Sequence, residues 1–127
     1  MRRRSPGAGN NRELKVMAVL TDEGWLCASR RHIGGAGDIL AIRQARPYSV
    51  RHGVPVDLIA LLVEVKSTAR SAWVSFGPAD RQDLIDTAIR YGAEPFLFWW
   101  PPRGDLQRIP ASEFPKTQLR MEVLTDD

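Results

Sequence analysis

Residues 37–42, Gly-Asp-Ile-Leu-Ala-Ile, and residues 63–67, Val-Glu-Val-Lys-Ser, decide how this chain folds. Each is a short apolar stretch with charge at one end. In a β-strand, residues two apart project to the same side. Glu64 and Lys66 therefore share one face, and Val63 and Val65 take the other. A carboxylate beside an ammonium near the end of a buried strand needs a reason. Hairpin pairing that sets Asp38 next to Glu64 brings two carboxylates together with an amine close by.

That arrangement has a chemical logic. Two carboxylates can hold a hard divalent cation such as Mg2+, leaving positions open for water and a phosphate oxygen. The cation polarises a phosphodiester, and Lys66 helps to position the attacking water and to steady charge growing on the phosphate. Taken alone, Glu-x-Lys is better explained as a strand-end salt bridge, with Asp38 as a strand-start cap. The joint pattern shifts the weight. A glycine-rich loop, residues 34–37, leads into Asp38, a return strand follows, and the chain then reaches Glu64 and Lys66.

Outward from this pair, the sequence predicts an α/β domain with a mixed central sheet flanked by helices. A helix is expected from Asn10 or Asn11 to about Glu23, with Leu14, Met17 and Ala18 on one face and Val16, Val19 and Leu20 broadening it. Strands are expected over residues 25–29, 39–42, 56–65 and 95–100, with a short edge strand at 106–109. Pro78 opens a second helix that Gly92 ends, with Asp80 and Asp83 near its positive end. Residues 67–76 read as a connection, residues 43–53 as a hairpin or arm, and residues 116–124 as either helix or strand. Trp73 and Phe76 are expected in the core or between protomers, and Cys27 as a small hydrophobe within its strand. His32 and His52 are isolated and lack metal-ligand spacing.

Charge is uneven. Residues 1–53 carry ten Arg or Lys against four Asp or Glu, whereas the rest of the chain is slightly acidic. Basic side chains that neutralise phosphates release condensed counterions, so this asymmetry suits a polyanionic partner. Residues 1–10, basic and rich in Gly, Pro and Ser, read as a flexible arm, and residues 11–127 as one domain. A single cysteine excludes an intramolecular disulfide and points to a reducing, cytoplasmic compartment. No apolar run is long enough to span a membrane, and the N-terminus lacks a signal peptide's apolar core.

Over about residues 11–100 the chain resembles the PD-(D/E)XK nuclease superfamily and, more closely, the archaeal-type Holliday junction resolvases also found in phages. The resemblance rests on Arg12-Glu13-Leu14, Gly24-Trp25, Ser29-Arg30 before the glycine loop, Gly37-Asp38-Ile39, Glu64-Val65-Lys66, the helix ending at Gly92, and residues 95–100. It implies a restriction-endonuclease-like fold. It places metal ligands at Asp38 and Glu64, a third acid at Glu13, and the motif lysine at Lys66. It implies Mg2+ as cofactor, with Mn2+ as a substitute. Arg30 would contact DNA, joined by Arg12, Arg31, Arg43, Arg46 and Arg51 as further basic contacts. The implied partners are a four-way DNA junction and a second copy of the chain, because two cuts in strands of like polarity suit a two-fold pair.

Three departures stand out. Family members usually have Pro before the motif Asp, where this chain has Gly37, and a serine in the glycine loop, which is missing here. The interval from Asp38 to Glu64 is also long, which makes Asp57 the fallback acid. Asp57, however, lies roughly 23 Å from Glu64 along an extended strand, too far to share a cation. Alternatives to a junction resolvase are another nuclease of the superfamily, for repair, restriction or replication, and a non-catalytic DNA-binding protein on the same scaffold.

Overall fold

A computed structural model describes residues 8–30, 35–45, 50–51, 54–55 and 57–115 of the chain. Five strands form one mixed sheet: β1 (Leu26–Ser29), β2 (Ile39–Gln44), β5 (Leu58–Lys66), β6 (Glu94–Trp99) and β7 (Gln107–Pro110), in that spatial order. Only β5 and β6 are parallel, and α3 (Pro78–Tyr91) lies in the connection between them. The expected hairpin in residues 43–53 is a small separate ladder, β3 (Val50–Arg51) with β4 (Val54–Pro55).

The central strand β5 sorts its residues by parity, as a pleated strand buried on both faces must. Leu61, Val63 and Val65 pack with Val16 and Leu20 of α1 (Ala8–Asp22), with Ile39 and Ala41 of β2, and with Phe98 of β6. On the opposite face Leu62 packs with Leu84 and Ala88 of α3, together with Leu97, Phe76 and Phe114. Glu64 and Lys66 continue that second row, so the parity that buries β5 also brings them out together.

Helix α1 departs from expectation in two ways. It starts at Ala8, before either proposed asparagine cap. It also turns Val16 and Leu20 fully inward and leaves Leu14 57% exposed. Residues three, four and seven apart share a helix face. Glu13 is therefore in line with Val16, Met17 and Leu20, on the side that meets the sheet.

The connection after β5 contains a helical turn, α2 (Ala72–Ser75), capped by Ser71 Oγ accepting from Trp73 N–H at 3.3 Å. Phe76 is buried, as expected of core, and Trp73 is half-buried, stacked near Phe76 and edge-on to Phe114. Arg81 of α3 is buried beneath them, donating from Nη1 to the Phe76 carbonyl at 2.8 Å. Cys27 packs half-buried against the α1 side of the sheet, and burial pushes its thiol pKa up. Residues 1–7, Arg31, His32, Arg46, Tyr48, His52 and the ambiguous stretch 116–124 lie outside the described residues. Arg51 is placed by its backbone in β3.

Candidate active site

The antiparallel ladder between β2 and β5 pairs Ile39 with Val63, and one step further Asp38 stands across from Glu64. The ladder closes there through a side chain. Asp38 N–H donates to the Val63 carbonyl at 2.7 Å, and the Val65 N–H donates to Asp38 Oδ2 at 2.7 Å. The carboxylate thus replaces a backbone acceptor at the strand end, which fixes its position. Asp57 sits just before β5, at the strand's opposite end, where its carbonyl accepts from Ala45 N–H. It takes no part in this cluster.

Gly37 explains why the usual proline is missing. Its φ is +89°, a conformation closed to proline, and a Cβ there would lie 2.6 Å from Leu62 Cδ1. The loop therefore enters Asp38 by a path that only glycine follows easily. Arg30 holds that loop from behind, with Nη1 donating to the Ala36 carbonyl at 2.5 Å.

Four charged side chains converge. Lys66 Nζ lies 3.4 Å from Glu64 Oε2, both largely shielded from solvent. Glu13 shares a hydrogen bond with Asp38. Burial raises the Asp38 pKa against the lowering pull of the Val65 N–H, Lys66 and Glu13. Glu64 is pushed up to about 7, first by burial and then by the nearby Asp38 charge, with Lys66 opposing and Asp80 adding to the rise. The site holds more acid than its own cations neutralise. Asp80 and Asp83, assigned from sequence to the favourable end of α3, also line the site: with Asp38, Glu64 and the backbone of residues 35–37 they bound a cavity of about 240 Å³. Only the tertiary position of α3 reveals that second role.

These residues fit a divalent cation by the chemistry of the donor set. Among the described residues no group of three or more Asp, Glu, His or Cys is arranged as a ready-made metal cage. Mg2+ does not ask for one, since it keeps several waters and takes one or two carboxylates. Asp38 and Glu64 would supply those two.

The expected basic contacts separate. Arg12 belongs to this end of the sheet, its guanidinium 5.6 Å from the centroid of the Trp100 ring. Arg30 is beside the glycine loop. Arg43 lies five residues along β2 from Asp38, roughly 17 Å away, and stacks 4.6 Å from the Trp25 ring centroid. It does not join the acidic cluster. Among the described residues no helix is long and apolar enough to cross a membrane.

No family model matches the chain, and no curated protein does. Among solved structures, Archaeoglobus fulgidus Hjc, a Holliday junction resolvase from an archaeal hyperthermophile, matches with a TM-score of 0.65. The match covers 88% of this chain and 80% of that one at 19% sequence identity. The two share a backbone architecture while most side chains differ, and the chain has the restriction-endonuclease-like fold of that resolvase.

Proposed function

We propose that this chain is a structure-selective DNA endonuclease that resolves four-way junctions by metal-dependent phosphodiester hydrolysis. The observation that carries the reading is the meeting of Asp38, Glu64 and Lys66 at one sheet end, with Glu13 bonded to Asp38, in a fold shared with a junction resolvase.

Asp38 and Glu64, assisted by Glu13, would hold Mg2+, with Mn2+ able to replace it. When bound, the cation supplies Lewis acidity toward a phosphate oxygen. Lys66 stands within ion-pair distance of Glu64, so its ammonium can orient the attacking water and stabilise negative charge on the phosphate oxygens. The Val65 N–H keeps Asp38 in place throughout. Arg12 and Arg30 would bind flanking phosphates, with Arg31, Arg43, Arg46 and Arg51 as further candidate DNA contacts.

The working unit we infer is a homodimer, which presents two equivalent sites to a two-fold symmetric junction. Support comes from an open groove of about 340 Å³ on the α3 side of the sheet, lined by Leu40, Ile42, Ala60, Leu62 and Tyr91. Tyr91, 73% exposed at its rim, is suited to insertion into a second copy. A DNA-acting enzyme of this kind would work in the cytoplasm.

Incubation with a labelled four-way junction and Mg2+ should give paired cuts that EDTA and Asp38→Ala abolish. Equal cutting of linear duplex would instead favour another nuclease of the superfamily. Junction binding with no cleavage in any divalent metal would favour the non-catalytic reading.

A further inference from the structure

Five described arginines can be ranked by what already occupies them. Arg108 grips both carboxylate oxygens of Glu23, at 2.7 and 2.5 Å. Arg81 is buried and bonded to the Phe76 carbonyl. Arg30 spends Nη1 on the Ala36 carbonyl. Arg43 lies over Trp25 at the far end of β2, close enough to Glu23 to lower its pKa. Arg43, Arg81 and Arg108 also lie over aromatic rings, so what sets Arg12 apart is its place at the acidic end of the sheet. Arg12 adjoins Glu13 in the acidic cluster, its guanidinium sits on the Trp100 ring, and among the described residues no carboxylate bonds or pairs with it.

Trp100 is itself fixed from two sides. Its N–H donates to the Lys66 carbonyl at 2.8 Å, extending the β5–β6 ladder one residue past the site lysine. Its half-buried ring packs against the α1-side core cluster. The outer face of that ring is thus a rigid platform, attached by backbone to the strand that carries Lys66. An aromatic face attracts a guanidinium without neutralising it. It also removes the rotamer freedom that a long arginine would otherwise lose on binding. Neighbouring strands are spaced by about 4.8 Å, so a cation over the end of β6 lies about two strand spacings from Asp38 on β2. That places it beside the reacting phosphate rather than on it.

We propose that Trp100 is a positioning residue that holds the Arg12 guanidinium ready for a backbone phosphate flanking the scissile one. The inference rests on the nuclease reading above. It adds a partner for Arg12 and gives a role to the aromatic residue that follows β6.

The experiment is a double-mutant cycle on the full chain. Arg12→Ala, Trp100→Phe, Trp100→Ala and the double variant Arg12→Ala with Trp100→Ala are titrated with a fluorescent four-way junction in EDTA at several salt concentrations. Cleavage is then measured with Mg2+. Arg12→Ala should weaken binding about fivefold and flatten the plot of log affinity against log salt by about 0.9 per lost contact. Trp100→Ala should reproduce both changes, and the double variant should add nothing. KM should rise with kcat little altered, because the contact lies off the reacting phosphate. Trp100→Phe keeps a ring and should retain most of the affinity, which preserves the test if Trp100→Ala folds poorly. A purely structural tryptophan would lower the melting temperature and leave the salt slope of the folded fraction unchanged. That result, or additive losses in the double variant, overturns the proposal while leaving the nuclease reading intact. Wild-type protein that neither binds nor cuts the junction overturns both.

Discussion

Helix α1 has one glutamate in its first half and another just past its C-terminal end, and the two live in opposite electrostatic worlds. Glu23, just past the helix, is gripped by Arg108 and lies near Arg43, and its pKa falls, chiefly through the Arg108 hydrogen bond. Glu13, about 15 Å away along the helix axis, lies against Asp38, and the pKa values of Asp38 and of neighbouring Glu64 rise, chiefly through burial. The residue type is the same at both ends, so the difference lies in what the sheet places opposite. One end is a closed ion pair that helps the fold. The other gathers acids faster than cations, which a protein tolerates where the charge has a use.

The largest effect should come from Glu64→Gln. Removing this proposed ligand should reduce junction cleavage by roughly a thousandfold, on the scale of several kcal/mol of transition-state stabilisation. The same variant should stabilise the metal-free protein at pH 8. Glu64 in the folded protein holds its proton up to about pH 7, against an ordinary value of 4.5. A carboxyl with a raised folded-state pKa contributes stability that is full below pH 4.5 and is lost as pH climbs through 7. The loss is at most about 3 kcal/mol. Thermal melts in EDTA from pH 4.5 to 8 should show this decline in the wild type and a flatter profile in Glu64→Gln. Mg2+ should restore stability at pH 8 and do little at pH 5. A metal-free protein equally stable across that range would break the contrast between the two helix ends.

Gly37→Ala should have the next effect. Both the positive φ and the contact with Leu62 oppose a side chain there. A loss on the order of 2–3 kcal/mol is expected in chemical denaturation, with weaker cleavage because the loop delivers Asp38. The smallest effect belongs to the opposite end of α1. Glu23→Gln should cost about 0.5 kcal/mol, a loss that vanishes at high salt, because the pair with Arg108 is partly exposed. Its cleavage rate should match the wild type. Comparable loss of activity from Glu23→Gln would show that the two ends are coupled.

Much of this was legible in the sequence where local rules dominate. The two-residue period put Glu64 and Lys66 on one face, and the glycine-rich loop located Asp38. Pro78 and Gly92 bracket α3 as expected, with Gly92 at φ 73° as its cap. What escaped depends on how separate elements are rotated and placed. The apolar residues of α1 nearly ring the helix, so hydrophobic spacing could not decide between the Leu14 and the Val16 side. The structure chose Val16 and Leu20, and that rotation brings Glu13 inward. Asp80 and Asp83 were explained by the helix dipole alone, because their distance from Glu64 in sequence hides the shared cavity. The turn α2 was too short to leave a periodic signal, and its place is set by Trp73 and Phe76 packing over Arg81.

The bond from Val65 N–H to Asp38 Oδ2 has one more meaning. The group that finishes the sheet is also the group that would grip the cation, so unzipping at this margin and disarming the proposed active site are a single event. A glutamate, one methylene longer, could not serve both duties from the same backbone position. Integrity of the scaffold is thereby checked at the very atom where chemistry would begin.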